Sequence, residues 1–90
     1  MTQLDMLAVD DLVREIARAL VDEPGAVEVE SISHEENTVL RLKVAPQDVG
    51  KVIGKQGNTI RAIRNLLSAA ASRQGGRVTL EIIERPEAGD

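Results

Sequence analysis

No aromatic residue occurs anywhere in the 90-residue chain. Its core must therefore be assembled from Val, Ile, Leu, Ala and Met, and a nucleic-acid site here could not stack bases on rings. Cysteine is also absent, which excludes disulfides and thiolate-bound metals and suits a reducing compartment. No apolar run approaches the roughly 18–20 residues that span a bilayer, and no basic segment leads into an apolar one near Met1. These absences set the expectation of a soluble, cytoplasmic protein with no membrane attachment. Catalytic machinery is equally sparse. His34 is the single histidine and sits in a polar turn, Ser31, Ser33 and Ser72 have no identifiable base, and Asp10-Asp11 and Glu35-Glu36 read as solvated acids. The expectation is no enzyme, no catalytic residue, no cofactor and no metal site.

What is present suits one small domain. The apolar fraction of 42% is ordinary for a globular chain, and a domain this size buries only roughly 60–65% of its unfolded surface. The net charge is −4 but unevenly spread. Residues 49–80 hold Lys51, Lys55, Arg61, Arg64, Arg73 and Arg77 and no acid, a local charge of +6 that leaves −10 for the rest. Fields decay over about 8 Å at physiological salt, so a polyanion meeting this segment senses mainly the local charge.

Periodicity orders the elements. From Asp10, the candidate N-cap, Leu12, Ile16 and Leu20 recur at helical spacing with Val13 and Ala17 beside them, until Pro24-Gly25 stops the helix. Residues 26–33 and 38–44 read as a hairpin, with Ile32 breaking the alternation as a bulge would. Pro46 opens a short helix with Asp48 in its first turn and Val49, Val52 and Ile53 on its apolar side. A longer helix starts near Asn58, burying Ile60, Ile63, Leu66, Leu67 and Ala70, and stops at Gly75-Gly76. Residues 77–84 form a last strand with Val78, Leu80 and Ile82 inward. The order α-β-β-α-α-β, with a right-handed crossover returning the last strand parallel to the second, predicts an α+β fold. In it a three-stranded mixed sheet is covered on one face by three helices. The domain is expected to span residues 10–84, between a partly flexible segment 1–9 and a loose tail 85–90.

The most informative stretch joins the two later helices. Gly54 and Gly57 bracket Lys55 and Gln56, and the helix that follows offers free N–H groups and its positive end to an anion. Gly54 suits a left-handed helix end, and Gly57 leaves room for another backbone. Ile53 and Ile60 flank the loop and are expected to pin both helices to the core.

The run Val52-Ile53-Gly54-Lys55-Gln56-Gly57-Asn58-Thr59-Ile60-Arg61-Ala62-Ile63 resembles the KH-domain signature, an apolar pair, then G-x-x-G, then isoleucines at helical spacing. The element order resembles the type II KH arrangement, and length and layout are similar to the KhpA family of small bacterial KH proteins over nearly the whole chain. The resemblance implies single-stranded RNA as the partner, its backbone gripped by Gly54, Lys55, Gln56 and Gly57. Asn58 and Thr59 would stand beside the grip. Lys51, Arg61 and Arg64 would raise the surrounding potential, and Arg73 and Arg77 would flank a variable loop bordering the base groove. The resemblance further implies a homodimer or a complex with a larger KH-containing protein of the KhpB type. It also implies work as an RNA chaperone or post-transcriptional regulator linked to cell elongation and division.

Other readings fare less well. A P-loop would need one more residue between Gly50 and Gly54, and Gln56 stands where Ser or Thr should be. A duplex-DNA helix-turn-helix could use the polar positions Asn58, Thr59, Arg61, Arg64, Asn65 and Ser68, but does not require the glycine-bracketed loop. A KH fold serving chiefly as a protein-interaction module would use the acidic first helix or the Ala69-Ala70-Ala71 surface.

Overall fold

A computed structural model describes residues 9–73 and 75–84. Residues 1–8 and 85–90 of the expected flexible ends, and Gln74, lie outside the described residues, while Val9 is already helical. The elements are α1 (Val9–Leu20), β1 (Glu28–His34), β2 (Asn37–Val44), α2 (Val49–Ile53), α3 (Asn58–Arg73) and β3 (Arg77–Glu84). The sheet order is β1-β2-β3. The β1 strand runs antiparallel and β3 parallel to β2, as the hairpin and crossover require. Helices α1 and α3 lie against the sheet, and α2 packs chiefly on α3. The α+β architecture and its element order agree with expectation.

Helical and strand periodicities converge on one apolar layer. The buried residues are Val13 and Ala17 of α1, Leu40, Leu42 and Val44 of β2, Val52 of α2, Ile60, Ile63 and Leu67 of α3, and Leu80 of β3, joined by Val27. Among the described residues, no helix lies on the opposite sheet face. There Arg41 of the central strand is held between Glu30 and Glu81, at 3.6 and 3.2 Å.

Several expectations are corrected. The β1–β2 register runs unbroken from Glu28↔Lys43 to His34↔Asn37. Ile32 is therefore no bulge: the two-residue period simply places it on the open face. Asp10 lies inside the first turn of α1, 3.9 Å from Arg14, and does not cap it. The buried stripe of α1 is Val13 and Ala17, and Leu20 falls outside it. In α3 the stripe is Ile60, Ile63, Leu67 and Ala71. Leu66 is 57% exposed, because a residue one short of Leu67 is turned by about 100° away from the sheet. Ile53 is 36% exposed, so Val52, not Ile53, joins Ile60 in anchoring the loop.

Candidate nucleic-acid interface

The glycine-bracketed loop is a backbone device. Gly50 O accepts the Gly54 N–H at 2.8 Å to end α2, and Gly54 turns with φ +79° and ψ 172°. That region of backbone space is essentially restricted to glycine. A Cβ there would overlap the side chain of Thr59 and lie 2.9 Å from its backbone nitrogen. Gln56 has φ +57° and Gly57 φ +75°, so consecutive residues are left-handed before the chain enters α3. A Cβ on Gly57 would meet nothing within 4 Å, so this glycine serves the turn and leaves its outer side open. Lys55 and Gln56 are exposed at the tip. Asn58 is already helical, and its Oδ1 accepts the Arg61 guanidinium at 3.1 Å instead of capping the helix amides.

The six basic residues of the acid-free segment do not form one cluster. Lys51 points its ammonium to Asp22 at 3.1 Å and to Asp48 at 3.5 Å. Arg61 and Arg64 share one side of α3 with Ser68 and Ser72, by helical spacing. Arg73 falls on the opposite side, continuing the exposed stripe Ala62–Leu66–Ala69. Arg77 begins β3, where its N–H donates to Glu36 O at 2.9 Å. From Asn58 to Arg73 the helix axis advances about 22 Å, so Arg73 and Arg77 stand far from Lys55.

Between α3 and the outer edge of β3 runs a trough. Its first part, about 220 Å³, is lined by Arg64, Leu67, Ser68, Val78, Thr79 and Leu80. A second part, about 470 Å³, shares Ser68, Val78 and Thr79 and extends past Ser72 to Gly76 and Arg77. The trough has an apolar floor, hydroxyls along one wall and a strand edge along the other. Its far end meets the β1–β2 turn, where Gly76 packs so closely that a Cβ would sit 2.9 Å from Glu36 O.

Asp48 stands in the first turn after Pro46 as expected, but its carboxylate serves another part of the chain. It is completely buried. Its carboxylate accepts the backbone N–H of Asp22 at 3.2 Å and of Glu23 at 3.0 Å, rather than amides of its own helix. Burial alone would raise its pKa. The two amides and the Lys51 ammonium outweigh that and hold it below the ordinary carboxylate value. Lys51 is held above its ordinary value, first by its hydrogen bond to Asp22 and then by the charges of Asp22 and Asp48. The latch ties the exit of α1 to the start of α2, the helix that carries the loop. An Asp two residues after Pro46 was the available signal, but an acid at the start of a helix also reads as a dipole partner. Among the described residues, no group of three His, Asp or Glu side chains could hold a metal ion, and no helix is long and apolar enough to cross a membrane.

Comparison with known proteins bears on residues 10–82, which match the family model described as KhpA/KhpB, KH domain. A Caldanaerobacter subterraneus protein named RNA-binding protein KhpA is 55% identical over 73 residues, 81% of this chain and 97% of the relative. Proteins of the same name from Treponema pallidum (52% over 83% of this chain and 94% of the relative) and Aquifex aeolicus (46% over 88% and 100%) are similarly related. Among solved structures, Era in complex with MgGDPNP and nucleotides 1506–1542 of 16S ribosomal RNA superposes with a TM-score of 0.57 at 22% identity. The match covers 84% of this chain but 29% of that one, and it speaks to the fold.

Proposed function

The chain belongs to the KhpA/KhpB KH-domain family, with a type II KH fold, and from that premise we propose that it binds single-stranded RNA. The backbone is gripped at the Gly54-Lys55-Gln56-Gly57 loop and the bases lie in the trough between α3 and β3. One observation carries the reading. Two positive-φ glycines hold Lys55 and Gln56 out at the start of α3, inside a segment of the chain without a single acid. Phosphate oxygens there meet an ammonium, an amide and the positive end of a 16-residue helix. Arg61 and Arg64 extend the favourable potential along the wall of the trough. Asn58 and Thr59 shape the loop from the α3 side. Lys51, neutralised by two carboxylates, contributes little to this field. Arg73 and Arg77 act at the far border, on longer RNA.

The names of the relatives support RNA as the ligand. A duplex-reading helix-turn-helix is disfavoured because Arg64 and Ser68 line a trough closed on one side by β3, and because α2 has only five residues. Work as a cytoplasmic RNA chaperone or post-transcriptional regulator in cell elongation or division would be exercised through this clamp.

Fluorescence anisotropy with a labelled single-stranded RNA pool tests the reading. Wild type should bind, and Lys55→Asp/Gln56→Asp should not, while circular dichroism reports both as folded. Equal binding by the two proteins would remove the loop from the mechanism.

A second reading, self-association or pairing with a larger KH protein, is favoured by Leu66. A large apolar side chain 57% exposed in the middle of a helix, flanked by Ala62 and Ala69, allows close approach of another chain. Two clamps on one RNA would then gain avidity through effective concentration.

A further inference from the structure

One side chain lining the trough already engages its strand edge. Arg64 Nη2 donates to the carbonyl oxygen of Leu80 at 3.3 Å, reaching from α3 across the trough to β3. This carbonyl belongs to an edge strand, since among the described residues β3 pairs with β2 alone. The same arginine lines the 220 Å³ part of the trough together with Leu67, Val78 and Leu80, its apolar floor.

Without an aromatic ring in the chain, a base entering here has two means of attachment, contact with that floor and hydrogen bonds to the strand edge. Arg64 covers both. We propose that Arg64 gates the RNA trough: its guanidinium holds, in the free protein, the hydrogen-bonding position at Leu80 that a nucleobase N–H takes over in the complex. The inference rests on the RNA-clamp reading above and adds to it a residue whose contact competes with the ligand.

The energetics suit a gate rather than a lock. At 3.3 Å the bond is longer than the usual 2.7–3.2 Å range for N–H···O, and Arg64 is exposed enough for water to take over its donors on release. The freed guanidinium remains beside the trough, able to meet a phosphate. Arg64 therefore has two opposed effects, a cost at the base position and a gain in the electrostatic field, and salt separates them. Each phosphate contact with a single strand contributes about −0.7 to the slope of log affinity against log salt. The electrostatic part vanishes on extrapolation to 1 M salt.

The test compares wild type, Arg64→Ala and Lys55→Asp/Gln56→Asp for a labelled single-stranded RNA pool across a salt series, with thermal melts showing that each is folded. The gate predicts that Arg64→Ala binds about 3- to 10-fold more tightly than wild type at the extrapolated 1 M point, with a slope no steeper than wild type. The Leu80 carbonyl carbon gives a direct readout by NMR. Its shift should move toward the unbonded value in free Arg64→Ala and return on adding RNA, while wild type changes little. Equal or weaker extrapolated binding by Arg64→Ala overturns the gate and leaves the clamp intact. Absence of binding by both wild type and Arg64→Ala overturns the clamp and the gate together. Binding by Arg64→Ala alone supports the gate in its strongest form.

Discussion

The ammonium of Lys51 lies 3.1 Å from the carboxylate of Asp22, which binds a residue of the basic segment to the turn that follows α1. Lys51 and Lys55 thus differ in role although four positions apart. Lys51→Ala should leave the salt dependence of RNA binding unchanged and lower the melting midpoint. Lys55→Ala should make the slope of log affinity against log salt shallower by about 0.7 with little change in melting. A salt series and thermal melts on the two variants check both halves.

The buried latch predicts an acid limb in stability. Asp48 is held below its ordinary value of 3.8, so its contribution is present at and above that pH and is lost as pH falls through the lower folded-state value. Lys51 is held above 10.5. Its contribution is present below that pH and fades as pH rises through the higher folded-state value. Asp48→Asn should remove the Asp48 part of the acid limb and lower the neutral-pH melting midpoint by about 10 °C or more, because a charge-assisted acceptor of two amides is lost. Melting midpoints from pH 2 to 8 would read this directly.

Gly54 and Gly57 separate backbone strain from crowding. Gly54→Ala combines a glycine-only conformation with overlap on Thr59 and should cost at least about 2 kcal/mol. Gly57→Ala meets open space and should cost about 1 kcal/mol, the usual penalty of a left-handed side chain. Chemical denaturation of both variants distinguishes the two.

Adjacent leucines of α3 should behave oppositely. Leu67 is buried in the core, and Leu67→Ala should destabilise by about 2–5 kcal/mol. Leu66→Asp should leave stability within about 0.5 kcal/mol. If the exposed stripe is the self-association surface, Leu66→Asp will be monomeric by sedimentation where wild type is not.

The loop and the topology were legible because both depend on local rules. Gly54, at the end of a helical stretch, marks a left-handed turn, Gly57 marks open space beside the backbone, and apolar residues at helical or alternating spacing mark which face turns inward. Assignments that turned on one residue's place within an amphipathic stripe were less secure. Leu66 and Leu67 look alike in sequence, and the rotation of α3 against the sheet, set by packing with β3, decides between them. Ile32 breaks the alternation because the face opposite the helices is not uniformly polar: its register partner there is Val39.

Sequence by itself determined the order of elements, the bounds of the strands to within about two residues and the position of the glycine-bracketed loop, since propensity, periodicity and turn chemistry act over a few residues. Tertiary structure alone decided which distant partners the charges met. Asp22, far from Lys51 in the chain, closes on it, and Leu80 comes within reach of Arg64 only when β3 returns beside α3. Charge sums along a sequence count cations. Folding chooses the partner of each one, because an ion pair depends on distance in space and the chain constrains that distance only through the whole fold.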